Sequence, residues 1–428
     1  MRLLVVGGGG REHALCWALR RDSPDATIFA APGNPGTAAL GKNLPIAATA
    51  VDDLVAAAVQ HDIDVTIIGP EAPLAAGLAD RLRSADRPVF GPSQAAARLE
   101  SSKAYAKEVM RRAGVPTAAS ATFTELDPAL AYIEAHAEPL VVKASGLAAG
   151  KGVIVCATRA AAADAARVML AARALGDAGN EIVVEEFVEG EELSVLALTD
   201  GERIVILPPA QDHKRLGDGD TGPNTGGMGA YCPVSLTTAP LLARVRGDVI
   251  EPVLREMAAQ GAPYEGVLYA GLMLAPDGTP YVLEFNCRFG DPEAQAILPG
   301  LPKGATKHLL DIARGRWRPK RQVISPTRAA VTTVLAARGY PEKPERGAAI
   351  RIPQELGADV VVFHAGTARD ADGTLRTAGG RVLSVTGLGA GVPAAARASA
   401  AACERIGFDG KTWRRDIAWR ELQRAGAA

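Results

Sequence analysis

Cysteine is scarce and scattered: five residues in 428, Cys16, Cys156, Cys232, Cys287 and Cys403, an odd number without a C-x-x-C pair. That excludes a disulfide framework, gives zinc or thiol redox chemistry no motif, and suits a reducing cytosol. Charge of either sign is not in excess, since 47 basic against 48 acidic residues leave a net charge of -1. Nothing global pulls the chain toward nucleic acid or membrane, so any anion site must be local. No stretch holds 18 uninterrupted apolar residues, and the first strand begins almost at Met1 and meets glycines after Val6, leaving no room for a signal-peptide core. A cytoplasmic protein is expected. Internal repeats and low complexity are absent, apart from alanine enrichment in helices. What remains is ordinary globular material, 48% hydrophobic and 22% charged, in a length that suggests about three domains.

Chemistry is densest at residues 280 to 293, PYVLEFNCRFGDPE. Tyr281-Val282-Leu283 reads as a buried strand, and Glu284, Asn286, Arg288, Asp291 and Glu293 follow it. Side chains two apart on a strand share a face, so Glu284 and Asn286 can present a carboxylate and an amide oxygen together, with Phe285 and Cys287 turned into packing. Mg²⁺ takes one or two carboxylates and keeps its other positions for water and phosphate, which suits such a pair. Arg288 stands one pleat beyond, where its planar guanidinium could grip a carboxylate or a transferring phosphoryl group. A bare E-x-N would be a polar strand end. The R-F-G-D-P-E turn behind it argues for a site.

Residues 1 to 100 alternate strands (LLVVG, ATIFAAP, DVTIIGPE, PVFGPS) with alanine-rich helices, the pattern of a doubly wound parallel sheet. Ligands bind such sheets at the carboxyl ends of their strands, and three ends are well equipped: GGGGREH (7 to 13), APGNPGTAA (31 to 39) and GPEAPLAAG (69 to 77). Glycine-rich turns entering helices offer N–H groups to phosphate, which makes Gly9, Gly10, Arg11, Asn34, Pro35, Gly36 and Glu71 candidate substrate contacts, with Asp291. The alternative is that these are only tight turns. A dinucleotide fingerprint fails, because G-x-G-x-x-G counted from Gly7 ends on Glu12 and counted from Gly8 ends on His13. A small phosphorylated substrate is favoured over NAD.

Residues 93 to 117 read as one linking helix containing Lys103, ended by Gly114 and Pro116. PLVVKASGLAAGKGVIVC then reads as a hairpin around a glycine-rich loop, followed by a helix over about 158 to 174. The loop is not a P-loop, because three residues separate Gly146 from Gly150 and Gly152 stands where Ser or Thr should be. A flap carrying Lys143 and Lys151 over phosphates fits better. EIVVEEFVEGEELSVLAL follows, turning at Glu189-Gly190; its backbone could pair with an adenine edge, and Glu191 or Glu192 could accept from ribose hydroxyls. Residues 208 to 233 hold too many glycines and charges for a regular element, and long irregular loops in enzymes are usually functional. Asp212, His213, Lys214 and Arg215 form its charged end. His213 could be a general base, but a substrate contact or structural hydrogen bond is the better reading beside Lys and Arg. A helix over 236 to 260 leads to GVLYAGLML, antiparallel to the strand ending at Asn286. The basic linker RGRWRPKRQ is short and isolated, a solvated connection more than a nucleic-acid patch.

VVGGGGREHAL, APGNPGTA, IIGPEAPL, VVKASGLAAGKGV, PAQDHKRLGDGDTGPNTGGMGAY and LEFNCRFGDPE together resemble the phosphoribosylamine–glycine ligase family, also called glycinamide ribonucleotide synthetases, over essentially the whole chain. The resemblance implies an α/β protein: an N-terminal doubly wound domain (1–100), an ATP-grasp domain (101–325) with a flap subdomain (118–195), and a mixed α/β C-terminal domain (326–428). It implies ATP-dependent joining of glycine to 5-phosphoribosylamine in purine synthesis through a glycyl phosphate, with Mg²⁺ or Mn²⁺. Carried over by position, Lys103, Lys143, the 146 to 152 loop with Gly150, Lys151 and Gly152, and Glu185, Glu186, Phe187 and Val188 hold ATP, with Glu191 near the ribose. Glu284 and Asn286 bind the metal, and Arg288, Lys214 and Asp212 are the catalytic candidates. Small-molecule substrates, a monomer, and no nucleic acid or membrane are expected. Two departures stand out: Gly8 replaces a polar residue expected in the first loop, and LYAGLML lacks the additional acid common among other ATP-grasp enzymes. Another ATP-grasp carboxylate ligase would lack the DHKRLGDGDTGPNTGGMGAY loop, and a nucleotide-binding sensor would lack the metal pair or Arg288.

Overall fold

The computed structural model describes residues 1–148 and 152–426. β1 (Arg2–Gly7), α1 (Gly10–Asp22), β2 (Thr27–Pro32), α2 (Pro35–Ala38), β3 (Lys42–Asn43), α3 (Val51–Gln60), β4 (Val65–Ile68), α4 (Glu71–Ala75), α5 (Leu78–Ser84) and β5 (Val89–Phe90) build the first unit. Its strands lie in the order β3-β2-β1-β4-β5, all parallel. Leu3, Leu4, Val5 and Val6 are all fully buried, as a run covered on both faces must be. Strand order reverses between β1 and β4, and the predicted glycine-rich loops all sit at this carboxyl edge.

The single linking helix expected over 93 to 117 is two helices, α6 (Gln94–Ser101) and α7 (Lys103–Ala113). Ser102 breaks them: its backbone is extended (φ -140, ψ 107) and its Oγ accepts from Tyr105 N at 3.2 Å. A serine that caps the next turn competes with helix continuation. Gly114, at φ 66, closes α7 in the left-handed region that favours glycine.

β6 (Ser120–Phe123), α8 (Leu126–Ala135), β7 (Leu140–Ala144), β8 (Val153–Cys156), α9 (Arg159–Ala166) and β9 (Ile182–Glu186) form a separate antiparallel sheet in the order β6-β9-β7-β8. It has its own apolar cluster, with Ile133, Val142, Met169, Ile182 and Val184, so it packs as a unit of its own. The 182–199 segment does not stay in one sheet. β10 (Glu191–Thr199) opens a second sheet, and Phe187–Gly190 form the crossing between the two.

After β11 (Ile204–Ile206) the glycine-rich loop is more ordered than its composition suggests, with β12 (Gln211–Asp212), β13 (Arg215–Gly217), β14 (Thr221–Asn224) and β15 (Gly229–Cys232). β12 pairs with β15 and β13 with β14 inside the loop. β15 pairs with a strand a hundred residues on, an instance of tertiary context overriding local propensity. α10 (Ala239–Arg244) and α11 (Glu251–Ala259) lead to β16 (Gly266–Leu274) and β17 (Pro280–Asn286), which complete the antiparallel sheet β11-β10-β16-β17. Then come α12 (Glu293–Gly300), α13 (Lys307–Ala313), β18 (Ala329–Ala336), β19 (Val360–His364), β20 (Thr367–Arg369), β21 (Leu375–Thr377), β22 (Arg381–Gly389), α14 (Val392–Arg405) and α15 (Trp419–Arg424). The last large sheet is β12-β15-β18-β22-β19, so the charged loop is stitched into the C-terminal unit.

The C-terminal segment also straps that loop. Arg414, with a fully buried side chain, binds Asp220 and Asp416 at 2.7 Å each, and Asp416 Oδ2 accepts from Gly219 N at 2.8 Å. His213 Nε2 accepts from Ala418 N at 2.9 Å. His213 is therefore a structural partner, the second of its predicted readings, and no free base. Among the described residues no helix is long and apolar enough to cross a membrane.

His13, on α1, joins the first unit to the last. Its Nδ1 accepts from His364 N at 2.8 Å, and its ring stands edge-on to Phe363. Burial, with His364 nearby, holds His13 down at about 3; burial, with Arg369 nearby, holds His364 at about 4. Unfolded, both titrate near 6.5. Their contribution to stability is therefore complete above about pH 6.5 and is lost as pH falls toward 4 and then 3. Between pH 7 and pH 5 guanidinium denaturation should show a loss of about 2 kcal/mol per histidine, and His13→Asn should remove roughly half of the fall.

Candidate active site

A cavity of about 500 Å³ opens between the flap and the β10-β16-β17 sheet, bounded at one end by the carboxyl edge of the parallel sheet. Its wall is built around a bulge. Gly271 pairs with Glu284 but Leu272 pairs with Val282, so Leu283 is extra. A bulged residue leaves its carbonyl out of the ladder, and Leu283 O accepts from Lys143 Nζ at 2.9 Å. Beyond the bulge, regular pairing holds Glu284 and Asn286 on one face as predicted, and both line the cavity.

The flap side is basic. Glu185 is buried between Lys107 Nζ at 3.2 Å and Lys143 Nζ at 3.0 Å, so it spaces the lysines more than it meets a ligand. Burial pushes Lys107 down to about 8 despite Glu185, and burial also lowers Lys103. Lys103, at the start of α7, donates to Gly146 O at 3.3 Å, which places the predicted loop beside it. Gly152, Glu186, Phe187 and Val188 line the cavity, and Phe187 is exposed there. Gly150 and Lys151 lie outside the described residues. Glu191 does not fit its expected place near the ribose: strand alternation turns it away, its carboxylate pairs with Arg424, and Glu192 faces the cavity instead.

Arg288, its side chain 17% exposed, holds the floor. It binds Glu100 at 2.8 Å, lies 3.5 Å from Glu71, and donates to Asn286 Oδ1 at 3.0 Å. Glu100 also accepts from Cys287 N at 2.7 Å. These carboxylates lock Arg288 in its charged form against the cost of burial. Burial works against ionisation of Glu284, but Lys214, Lys143, Lys103 and Arg288 outweigh it and hold its carboxyl below the usual range.

Lys214 pairs with Glu192 and sits 3.9 Å from Asp212. Burial, only partly offset by Lys214 and reinforced by Glu293, Glu192 and Glu284, pushes Asp212 up to about 7. Glu293 accepts from Tyr269 OH at 2.6 Å and Ser194 Oγ at 3.2 Å. Asp291 lies 3.3 Å from Arg381 and accepts from Gln295 at 2.7 Å.

The first loops are less open than predicted. Gly9 N already donates to Glu12 Oε2 at 2.6 Å, and Arg11 Nε to Glu12 Oε1 at 2.6 Å. Glu12 thus fills the corner that a dinucleotide fold keeps for glycine. Gly10 is a packing residue, because a Cβ there would strike Gln295. Asn34 is fully used: its Oδ1 caps α2 through Gly36 N and Thr37 N, and its Nδ2 donates to Gly8 O, Gly9 O and His364 O. Gly36 is buried under the His13 ring, Pro35 opens α2, and none of the three lines the cavity, whereas Arg11, Glu71 and Asp291 do. Glu100, Lys107, Tyr269 and Arg381 went unpredicted. Lys107 could have been found, since it lies one helical turn from Lys103; no short motif marks the others.

A four-stranded flap carrying Lys143 over an antiparallel sheet ending in Glu-x-Asn defines an ATP-grasp enzyme. Within that class the chain belongs to the phosphoribosylglycinamide synthetase family, whose N domain matches residues 1–100, ATP-grasp (A) domain residues 101–294 and C domain residues 330–420. It is 48% identical over 434 residues to the phosphoribosylamine–glycine ligase of Vibrio parahaemolyticus, covering 99% of each chain. It is 49% identical over 428 residues to that of Ralstonia nicotianae, covering 99% of this chain and 100% of the relative. The crystal structure of phosphoribosylamine–glycine ligase from Thermotoga maritima superposes with a TM-score of 0.87 at 36% identity, over 98% of this chain and 100% of that one. A biotin carboxylase from Campylobacter jejuni shares the fold, with a TM-score of 0.73 at 16% identity, over 99% of this chain and 95% of that one.

Arg288→Met would leave Glu71 and Glu100 facing each other with Arg11 as the remaining cation. Unfolding free energy at pH 8 should fall by about 3–5 kcal/mol. Arg288→Lys should recover only part of it, because a point charge cannot replace the guanidinium fork; guanidinium denaturation of both variants checks this.

Proposed function

We propose that this cavity phosphorylates glycine with ATP and passes the glycyl group to 5-phosphoribosylamine, releasing ADP and phosphate. The chain is an ATP-dependent ligase of purine biosynthesis by family; the assignment of steps to residues is the proposal. The observation that carries it is the meeting, in one cavity, of the lysine cluster under the flap, the Glu284–Asn286 face and the Arg11–Glu71 end of the parallel sheet.

A carboxylate is a poor acyl donor because oxide would have to leave. In the first step a glycine carboxylate oxygen attacks the γ-phosphorus, and the bond to the bridging oxygen breaks with its electrons going to ADP. In the second the amine lone pair of phosphoribosylamine attacks the glycyl carbonyl carbon, phosphate leaves with the bonding pair, and the nitrogen gives up a proton. Lys103, Lys143 and Lys151 neutralise the nucleotide phosphates, and the Phe187–Val188 crossing borders the base. Arg11 binds the phosphorylated substrate, beside Glu71 and Asp291. Arg288 keeps Asn286 oriented through its hydrogen bond, a positioning role more than a grip on substrate. Anions converging on one cavity repel, so catalysis rests on charge neutralisation and alignment.

Glu284 and Asn286 would hold Mg²⁺ or Mn²⁺. The donors fit: the Glu284 carboxylate accepts no hydrogen bond among the described residues, and the Asn286 oxygen keeps a second lone pair beside Arg288. Two protein oxygens leave room for water and phosphate, and the bound ion would supply charge neutralisation at the transferring phosphoryl group. The enzyme acts on small molecules, as a monomer in the cytoplasm; five free, buried cysteines suit a reducing compartment.

ADP release should require glycine and phosphoribosylamine together; robust turnover with either omitted, or none with both, overturns the proposal. Glu284→Ala and Asn286→Ala should each lower kcat/KM by roughly two to four orders of magnitude in variants whose far-UV circular dichroism shows a retained fold. Near-normal turnover at saturating Mg²⁺ would show that the pair does not hold the metal.

A further inference from the structure

Most carboxylates lining the cavity already have partners. Glu71 and Glu100 flank Arg288, Glu185 lies between two lysines, Glu192 pairs with Lys214, Asp291 with Arg381, and Glu293 accepts from Tyr269 and Ser194. Apart from the exposed Glu186, two do not: Glu284, assigned to the metal above, and Asp212. Its side chain is only 8% exposed, it lines the cavity from β12, and neither of its oxygens accepts a hydrogen bond from a described residue. Among the described residues the nearest cation, Lys214 Nζ, stands at 3.9 Å, beyond hydrogen-bond reach, drawn off by Glu192. A carboxylate in that position is costly unless a cation completes it.

We infer that Asp212 is the anchor for the ammonium group of glycine, the residue that makes this site select an α-amino acid over a simple carboxylic acid. The inference deepens the ligase reading above and rests on it. Glycine enters as a zwitterion, and its carboxylate must approach the phosphoryl end of the cavity, next to Glu284. Its ammonium, one carbon away, needs an acceptor of opposite charge with a free lone pair. Asp212 supplies it. The titration of Asp212 agrees: burial, with Glu293, Glu192 and Glu284 around it and Lys214 offsetting them in part, pushes it up to about 7, the behaviour of a site short of one positive charge. A divalent metal is the rival cation. The structure disfavours it, because the Lys214 ammonium 3.9 Å from Asp212 repels a divalent ion more than a monovalent ammonium. The anchor also explains the 2-residue strand β12. Pairing with β15 fixes Asp212 through the C-terminal strap, so selection of glycine depends on a unit remote from the nucleotide.

The test compares wild type, Asp212→Asn and Asp212→Glu for glycine binding by calorimetry, with Mg²⁺ and a non-hydrolysable ATP analogue present, and for competition by acetate, which has the carboxylate but no amine. Asp212→Asn should weaken glycine by roughly 30-fold or more, as loss of a buried charge-assisted hydrogen bond does. Acetate competition, the KM for ATP and the Mg²⁺ requirement should stay within about twofold, showing a folded, nucleotide-competent protein. Asp212→Glu should recover part of the glycine affinity. Equal weakening of glycine and acetate, or unchanged glycine affinity in Asp212→Asn, overturns the inference. A shifted Mg²⁺ requirement with unchanged glycine binding makes Asp212 a metal ligand instead and overturns it as well. If wild type neither binds nor turns over glycine, the ligase reading fails, an outcome distinct from failure of the anchor.

Discussion

A guanidinium cannot be left alone away from water, and the packing of this molecule around its cavity follows from where Arg288 finds its partners. Glu71 comes from the start of α4, Glu100 from α6, and the Asn286 oxygen from the end of β17. The parallel sheet, the linking helices and the antiparallel sheet are thus drawn to one point. Ionic contacts of this kind add little net stability compared with apolar packing, but they are intolerant of a missing partner. They act as registration marks. Apolar cores formed by Val, Leu and Ala side chains could slide by a fraction of a residue at modest cost; a three-way ion cluster cannot.

The same logic orders the flap side, where charge is arranged in opposition. Lys107 and Lys143 are kept apart by Glu185 and are not spent on it, because burial depresses Lys107 while the carboxylate supports it. Lys143 also donates to the carbonyl that the bulge at Leu283 frees. One irregularity in β17 therefore does two things: it turns Glu284 toward the cavity and supplies the acceptor that aims a lysine across it.

Much of this was legible in the sequence. Periodicity gave the parallel sheet, the flap hairpin and the antiparallel β16–β17 pair, since long apolar runs and short turns leave few alternatives. The Glu284–Asn286 face followed from strand alternation alone. Other features resisted because their cause is nonlocal. Ser102 reads as an ordinary helix residue until the hydrogen bond to Tyr105 N is seen. Glycine-rich loops read as open phosphate cradles, yet Gly9 N is taken by Glu12 and Asn34 is exhausted by its neighbours. Glu191 and Glu192 are indistinguishable on the page, and only the register of β10 decides which one faces inward. Arg381 lies about ninety residues from Asp291, a distance over which no motif speaks.

The strap across the charged loop has a consequence for the order in which the molecule assembles. The flap closes its own small sheet from residues 120–186, contacts a chain can find early. Asp212 and Lys214, by contrast, sit on a segment whose geometry waits for β18 and then for Arg414 and Ala418, some two hundred positions downstream. Loop-closure entropy makes such pairings late ones. The nucleotide-facing half of the cavity can therefore exist before the half that meets the acyl substrate, and competence arrives with the last contacts to form.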